Sequence, residues 1–165
     1  MLALTQSQKL IIKTWLTANA QTLNDQEAAA ALNVAASPVF NVYRSSVPMS
    51  EIMLNGFNWT RVDNLNVGKA RIWEWMVSAN PDRAINPSKA NVRAGINAVW
   101  VGTQADLDVR DAVYAHCYRP ASIAEKLLAT GAGTAPVNDG DGSGPAVMGF
   151  EGEITAQDVV DSYNA

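Results

Sequence analysis

Residues 86–120 read NPSKANVRAGINAVWVGTQADLDVRDAVYAHCYRP, and this stretch decides the fold class. Val92, Ile96, Val99 and Trp100 recur at three- and four-residue intervals, which places them on one stripe of a helix. Asn86-Pro87-Ser88 offers a cap, and Gly102 stands just past the end, where a left-handed residue closes the last turn. Thr103 then caps a second helix through Leu107, Arg110, Asp111, Tyr114 and Tyr118. Pro120 breaks or kinks it, since proline has no amide hydrogen to donate. Two helices back to back predict a mainly α protein.

The same signals extend toward the N-terminus. Thr5-Gln6-Ser7-Gln8 reads as a capping box ahead of a helix with Ile12, Trp15, Leu16 and Leu23 on one side. Asn24 and Glu27 repeat that logic for an alanine-rich second helix, whose small side chains permit close packing. Ser37-Pro38 interrupts, and Phe40 to Ser45 reads as a short strand or extended segment, with helix as the alternative. Pro48 suits a first helical position and Gly56 a stop, which makes a short third helix. In FNWTRVDNLNVGKARIWEWMV (57–77) a helix starts near Asn64 or Asn66 and ends near Ser78. Its phase is read with Leu65, Ile72, Trp75 and Met76 inward, so Trp75 and Trp100 are expected in the core and Trp73 near the surface or an intersubunit seam.

After Pro120, Ala121 to Thr130 resumes a helical pattern and closes at Gly131. VNDGDGSGP (137–145) follows. Asp139, Asp141, Ser143 and Gly144 fill the first, third, fifth and sixth positions of a calcium loop, but the twelfth holds Phe150 where a bidentate carboxylate is required, with Glu151 one residue late. Its density of Gly, Asp and Ser reads instead as a flexible linker. The expected organisation is a compact helical body of about six helices with a short β or extended element over 1–131, a Gly/Asp-rich linker over 132–145, and a C-terminal extended arm over 146–165. Thr155 caps a short terminal helix with Val159 and Val160. Val147, Met148, Phe150 and Ile154 are the arm's apolar anchors for docking on a neighbour. Its Glu151, Glu153, Asp158 and Asp161 suit a basic surface around Arg71, Lys89 and Arg93. An arm folded back on its own domain is the alternative.

A chain of 165 residues is long enough for one domain with a real core. The net charge of −4 is uneven: residues 1–126 hold all twelve bases against ten acids, and the remainder has six acids and no base. Without a basic block, nucleic acid is not expected as the main partner, because such affinity rests on cations neutralising phosphates. The interleaving of Arg61, Lys69, Arg71, Lys89 and Arg93 with tryptophans does not change that, since each cation has an acid or polar neighbour nearby. Cys117 is the only cysteine, which fits a reducing compartment. No apolar run approaches bilayer length and no leader pattern opens the chain, so a soluble intracellular product with no membrane partner is expected.

Chemistry-bearing patterns are sparse. His116 and Cys117 are adjacent, but helix neighbours point about 100° apart, so adjacency makes no nucleophile–base pair. One His and one Cys make no metal set by themselves. Asp106, Asp108 and Asp111 sit at and just after a helix N-terminus, where acids complement the dipole. Gly131-Ala132-Gly133-Thr134 lacks the lysine of a phosphate loop and follows a helix where a nucleotide motif would follow a strand. No catalytic, cofactor or metal residue is assigned, and no cofactor is expected. The expected interface residues are Trp73, Arg71, Lys89, Arg93, Val147, Met148, Phe150 and Ile154.

NVGKARIWEWM (66–76), NPSKANVRAGINAVWVG (86–102), and EKLLATGAGT followed by PAVMGFEGEIT (125–155) form a set. As a set they resemble a family of small tailed-bacteriophage and prophage virion proteins. Members end in a helix with an A-EK-L-ATG-GT pattern, a variable Gly-rich gap and a P-x-x-M-x-x-E-G segment. This chain departs in its longer gap, VNDGDGSG, and in Ile123 where a polar residue is usual. The resemblance implies a structural, ring-forming head–tail connector joining portal and head to tail. It also implies self-association, portal and tail-completion proteins as partners, and a place in the virion after synthesis in the host bacterial cytoplasm. A tail-terminator or capsid-associated protein, and a small phage regulator of a host protein, are the alternatives.

Overall fold

The computed structural model describes residues 3–54, 57–78 and 81–165; Gly56, expected to stop the third helix, lies outside them. Among the described residues the protein is mainly α, with nine helices and two small two-stranded sheets. The order is α1 (Gln6–Asn19), α2 (Asp25–Asn33), β1 (Asn41–Tyr43), β2 (Val47–Pro48), α3 (Met49–Ile52), α4 (Trp59–Asp63) and α5 (Val67–Ser78). Then come β3 (Ala84–Ile85), α6 (Ala90–Val99), α7 (Gln104–Cys117), β4 (Tyr118–Pro120), α8 (Ile123–Leu128) and α9 (Ala156–Tyr163). β1 pairs with β4. β2 pairs antiparallel with β3 in the register Val47 to Ile85 and Pro48 to Ala84.

Capping chemistry sets most helix starts. Thr5, Asn24, Thr103, Ser122 and Thr155 each form a reciprocal box with the residue three positions on, satisfying amides that have no carbonyl partner inside the helix. α6 is the exception to the expected caps. It starts after Lys89 without a side-chain cap, and the Asn86 side-chain oxygen Oδ1 instead accepts the Ser88 amide at 3.1 Å to make a turn ahead of the helix.

The chain divides into two compact units, both discontinuous in sequence. The first comprises residues 1–42, 120–133 and 146–165. Its core buries Ile12 and Leu16 of α1, Leu32 of α2, Ala124 and Leu128 of α8, and Val159 of α9, together with Phe150 and Ile154. Each large aliphatic removed from water there contributes about 1.5–3 kcal/mol. The C-terminal segment is therefore seated in its own chain, which corrects the expectation of a docking arm. Val147 and Thr130 exchange two backbone hydrogen bonds of 2.9 Å, Gly149 N donates to Leu128 O at 3.1 Å, and Gln8 Nε2 donates to Gly149 O at 2.7 Å. In this extended segment Ala146 and Val147 make isolated bridges, to Val42 and Thr130 respectively.

The second unit comprises residues 43–119 and 134–145, with a core of Val47, Ile52, Ile96, Val99, Trp100, Val109 and Val113. The Gly/Asp-rich stretch, expected to be a flexible linker, is part of it. Tyr43 Oη donates to Gly142 O, Asn97 Nδ2 to Asp141 O at 2.8 Å, and an Arg110 guanidinium nitrogen to Asp139 O. The Asp139 amide donates to Asp111 Oδ2 at 2.8 Å. Glycine is required at 142, where φ is +79° and a Cβ would lie 2.2 Å from the Tyr114 ring.

Candidate functional site

α5 is the helix on which the second unit presents both a cleft and an exposed apolar ridge. Asn66 opens it by accepting the Lys69 amide at 2.9 Å, and Lys69 Nζ reaches Val101 O at 2.8 Å. Trp73 points inward at 6% exposure. Its ring stacks on Phe57 at 6.0 Å and meets Trp100 edge-on at 5.3 Å, an arrangement suited to aromatic quadrupoles. α6 approaches closely because Gly95 has no side chain; a Cβ there would come 2.6 Å from Met76 Sδ.

The helical phase is thus rotated from the expected one. Trp75, assigned to the core, is 65% exposed, and Trp73, assigned to the surface, is buried. Both sides of α5 are apolar, so its period does not distinguish Trp73, Met76 and Val77 from Ile72 and Trp75. Beside Trp75 on the outer side are Ile72 at 38% exposure and Arg71, which is also exposed. Val67, at 74%, lies one turn before Arg71. At about 100° per residue, Gly68, Ile72 and Trp75 project roughly opposite Ala70, Glu74 and Val77.

Ala70, Glu74 and Val77 line a cleft of about 500 Å³. Met49, Met53, Val62 and Trp73 supply its apolar walls, and Ser78 and Arg83 complete the rim. Unbranched, polarizable methionines let such a wall adapt to what it receives. Arg83 takes a left-handed backbone conformation, φ +46°, and its carbonyl accepts the Met49 amide at 2.9 Å.

The other expected interface residues are divided between the two units. Lys89 is exposed, but Arg93 is engaged internally: its Nη1 donates to Pro87 O at 2.7 Å and Ser88 O at 3.0 Å, and its guanidinium lies 4.3 Å over the Tyr43 ring. Val147 and Met148 are half-buried in the first unit, and Phe150 and Ile154 are buried there.

Two polar clusters complete the second unit. The Arg44 guanidinium grips the Glu51 carboxylate with both terminal nitrogens and also donates to His116 O at 3.1 Å. That grip holds the Glu51 carboxyl below the usual range, and His116 Nδ1 lies 3.7 Å from it. Asp106 is nearly buried. Burial works to raise its pKa, but hydrogen bonds from Arg61 and Thr103 outweigh that and hold it below the ordinary value. Burial pushes the Cys117 thiol up to about 12, and Sγ donates to Val113 O at 3.2 Å, so the thiol stays protonated and is a poor nucleophile. Among the described residues no group of three or more His, Cys, Asp or Glu is placed to hold a metal ion, and no helix is long and apolar enough to cross a membrane. No family model, no curated protein and no solved structure matches the chain.

Proposed function

We propose that this chain is a structural subunit of a tailed-phage virion, a ring-forming head–tail connector that works by binding further protein. The observation that carries the protein-binding part is the outer side of α5. An indole 65% exposed beside an exposed isoleucine and arginine is the composition of an interface anchor, since Trp and Arg dominate binding hot spots. The phage placement comes from the sequence resemblance over residues 66–155. In this reading the chain carries out no reaction and needs no cofactor. Its partners are further copies of itself, then portal and tail-completion proteins, in a virion assembled in the host bacterial cytoplasm. A tail-terminator or capsid-associated position uses the same surface.

Quantitative mass spectrometry of purified particles from a producing host tests the placement. A connector is present at the fixed copy number of one closed ring per particle, set by the rotational symmetry of the ring. Absence from particles, with the chain recovered bound to a host protein, would replace this reading with the regulator.

A further inference from the structure

We infer that the contact between neighbouring subunits is made by the α5 ridge of one copy entering the α5 cleft of the next. The inference rests on the self-association proposed above and names the surfaces that make it. Three observations point to a second copy as the occupant. First, the ridge at Trp75 and Ile72 and the cleft walled by Met49, Met53, Trp73 and Val77 lie on roughly opposite sides of one helix. Patches that differ and face apart make head-to-tail contacts, which form a ring where the rotation from copy to copy closes and a filament where it does not. A self-complementary pair would instead put one patch on both sides. Second, the cleft of about 500 Å³ is apolar and methionine-rich, and it lies within the range that accepts compact apolar groups such as an indole.

Third, the charges are complementary. Arg71 stands one turn before Trp75 on the ridge and Glu74 stands at the cleft, and neither takes part in a salt bridge among the described residues. Seating Trp75 brings Arg71 of one copy to Glu74 of the next. Arg83, at the same cleft, is a cation suited to the face of the incoming indole.

Sedimentation velocity over a concentration series, with circular dichroism to verify folding, tests this on the full chain. Wild type self-associates. Trp75→Ala and Arg71→Glu each raise the concentration needed by at least about tenfold, as loss of a central anchor does. Glu74→Arg is impaired in the same way. An equimolar mixture of Arg71→Glu and Glu74→Arg recovers assembly, because each ridge then meets a cleft of opposite charge. If Arg71→Glu strengthens assembly, or the mixture stays impaired, the pairing is wrong. Wild type that assembles with all variants unaffected overturns this contact and leaves the ring reading standing. Wild type that stays monomeric throughout overturns both.

Discussion

Asn33 brackets Ile154. Its side-chain carbonyl accepts the Ile154 amide and its side-chain amide donates to the Ile154 carbonyl, both at 2.8 Å, across 121 positions of sequence. One residue on α2 thereby satisfies both backbone groups of a residue whose side chain is in the core of the first unit. The Lys9–Asp161 ion pair, 3.0 Å, joins α1 to α9 in the same unit. Being half-exposed, it adds little beside the bracket.

Asn33→Ala is expected to cost about 1–3 kcal/mol, because it leaves a part-buried donor and acceptor without partners. Chemical denaturation measures it. Asn33→Asp keeps the acceptor but sets a charged oxygen against the Ile154 carbonyl, so at neutral pH it should cost at least as much as the alanine. Deleting residues 146–165 is expected to lower the melting temperature and strip helical signal well beyond that of α9 alone, since Phe150, Ile154 and Val159 leave the core together. A deletion that melts like wild type would restore the separate-arm description.

Trp73→Ala is expected to destabilise the second unit by about 3–5 kcal/mol, the range for emptying a buried aromatic site. Trp75→Ala is expected to stay within about 0.5 kcal/mol, as surface changes do. Tryptophan fluorescence gives a second readout: acrylamide quenching falls in the Trp75 variant far more than in the Trp73 variant. Equal costs would place the two indoles in equivalent environments.

Helix starts were legible because a capping box is a local device: Thr5, Asn24, Thr103 and Thr155 announce it within four residues. The helical class follows from them. α5 was legible in extent but not in rotation, since a helix apolar on two sides carries no phase signal and the choice between Trp73 and Trp75 is made by Phe57 and Trp100. The division into units was not legible at all. Residues 134–145 have linker composition, yet Tyr43, Asn97, Gln104 and Arg110, scattered along the chain, supply the hydrogen bonds that hold them. Such pairings leave no mark in a local window. The same holds for Phe150 and Ile154, whose apolar character was plain and whose partner was not.

Gly142→Ala is expected to lower stability by about 2–4 kcal/mol, combining the left-handed backbone cost with a clash against Tyr114. Hydrogen exchange localises it: protection should fall at the amides of 139–144 and at the Tyr114 end of α7. A neutral substitution would mean that the stretch is not packed on α7.

Acid is expected to weaken the second unit through Asp106. A carboxyl whose folded pKa lies below its unfolded value adds stability that is fully present above the unfolded pKa and is lost as pH falls through the folded one. Asp106 is held below its ordinary 3.8, so its contribution is complete at neutral pH and disappears in the window below that value. Glu51, lowered by Arg44, acts in the same direction from its ordinary 4.5 downward. Arg61 donates to Asp106 through Nε at 3.1 Å and through a terminal nitrogen. Removing it in Arg61→Ala leaves a nearly buried carboxylate with only the Thr103 hydroxyl and amide, at a cost of roughly 2–3 kcal/mol near neutrality. The variant's acid limb should begin at higher pH than wild type, because without the guanidinium, burial raises the Asp106 pKa. Stability curves from pH 2 to 7 for wild type, Arg61→Ala and the double variant Arg61→Ala with Asp106→Asn decide it. The double variant should recover part of the loss and titrate less steeply below pH 4, whereas an Arg61→Ala curve parallel to wild type would assign the acid sensitivity to another carboxyl.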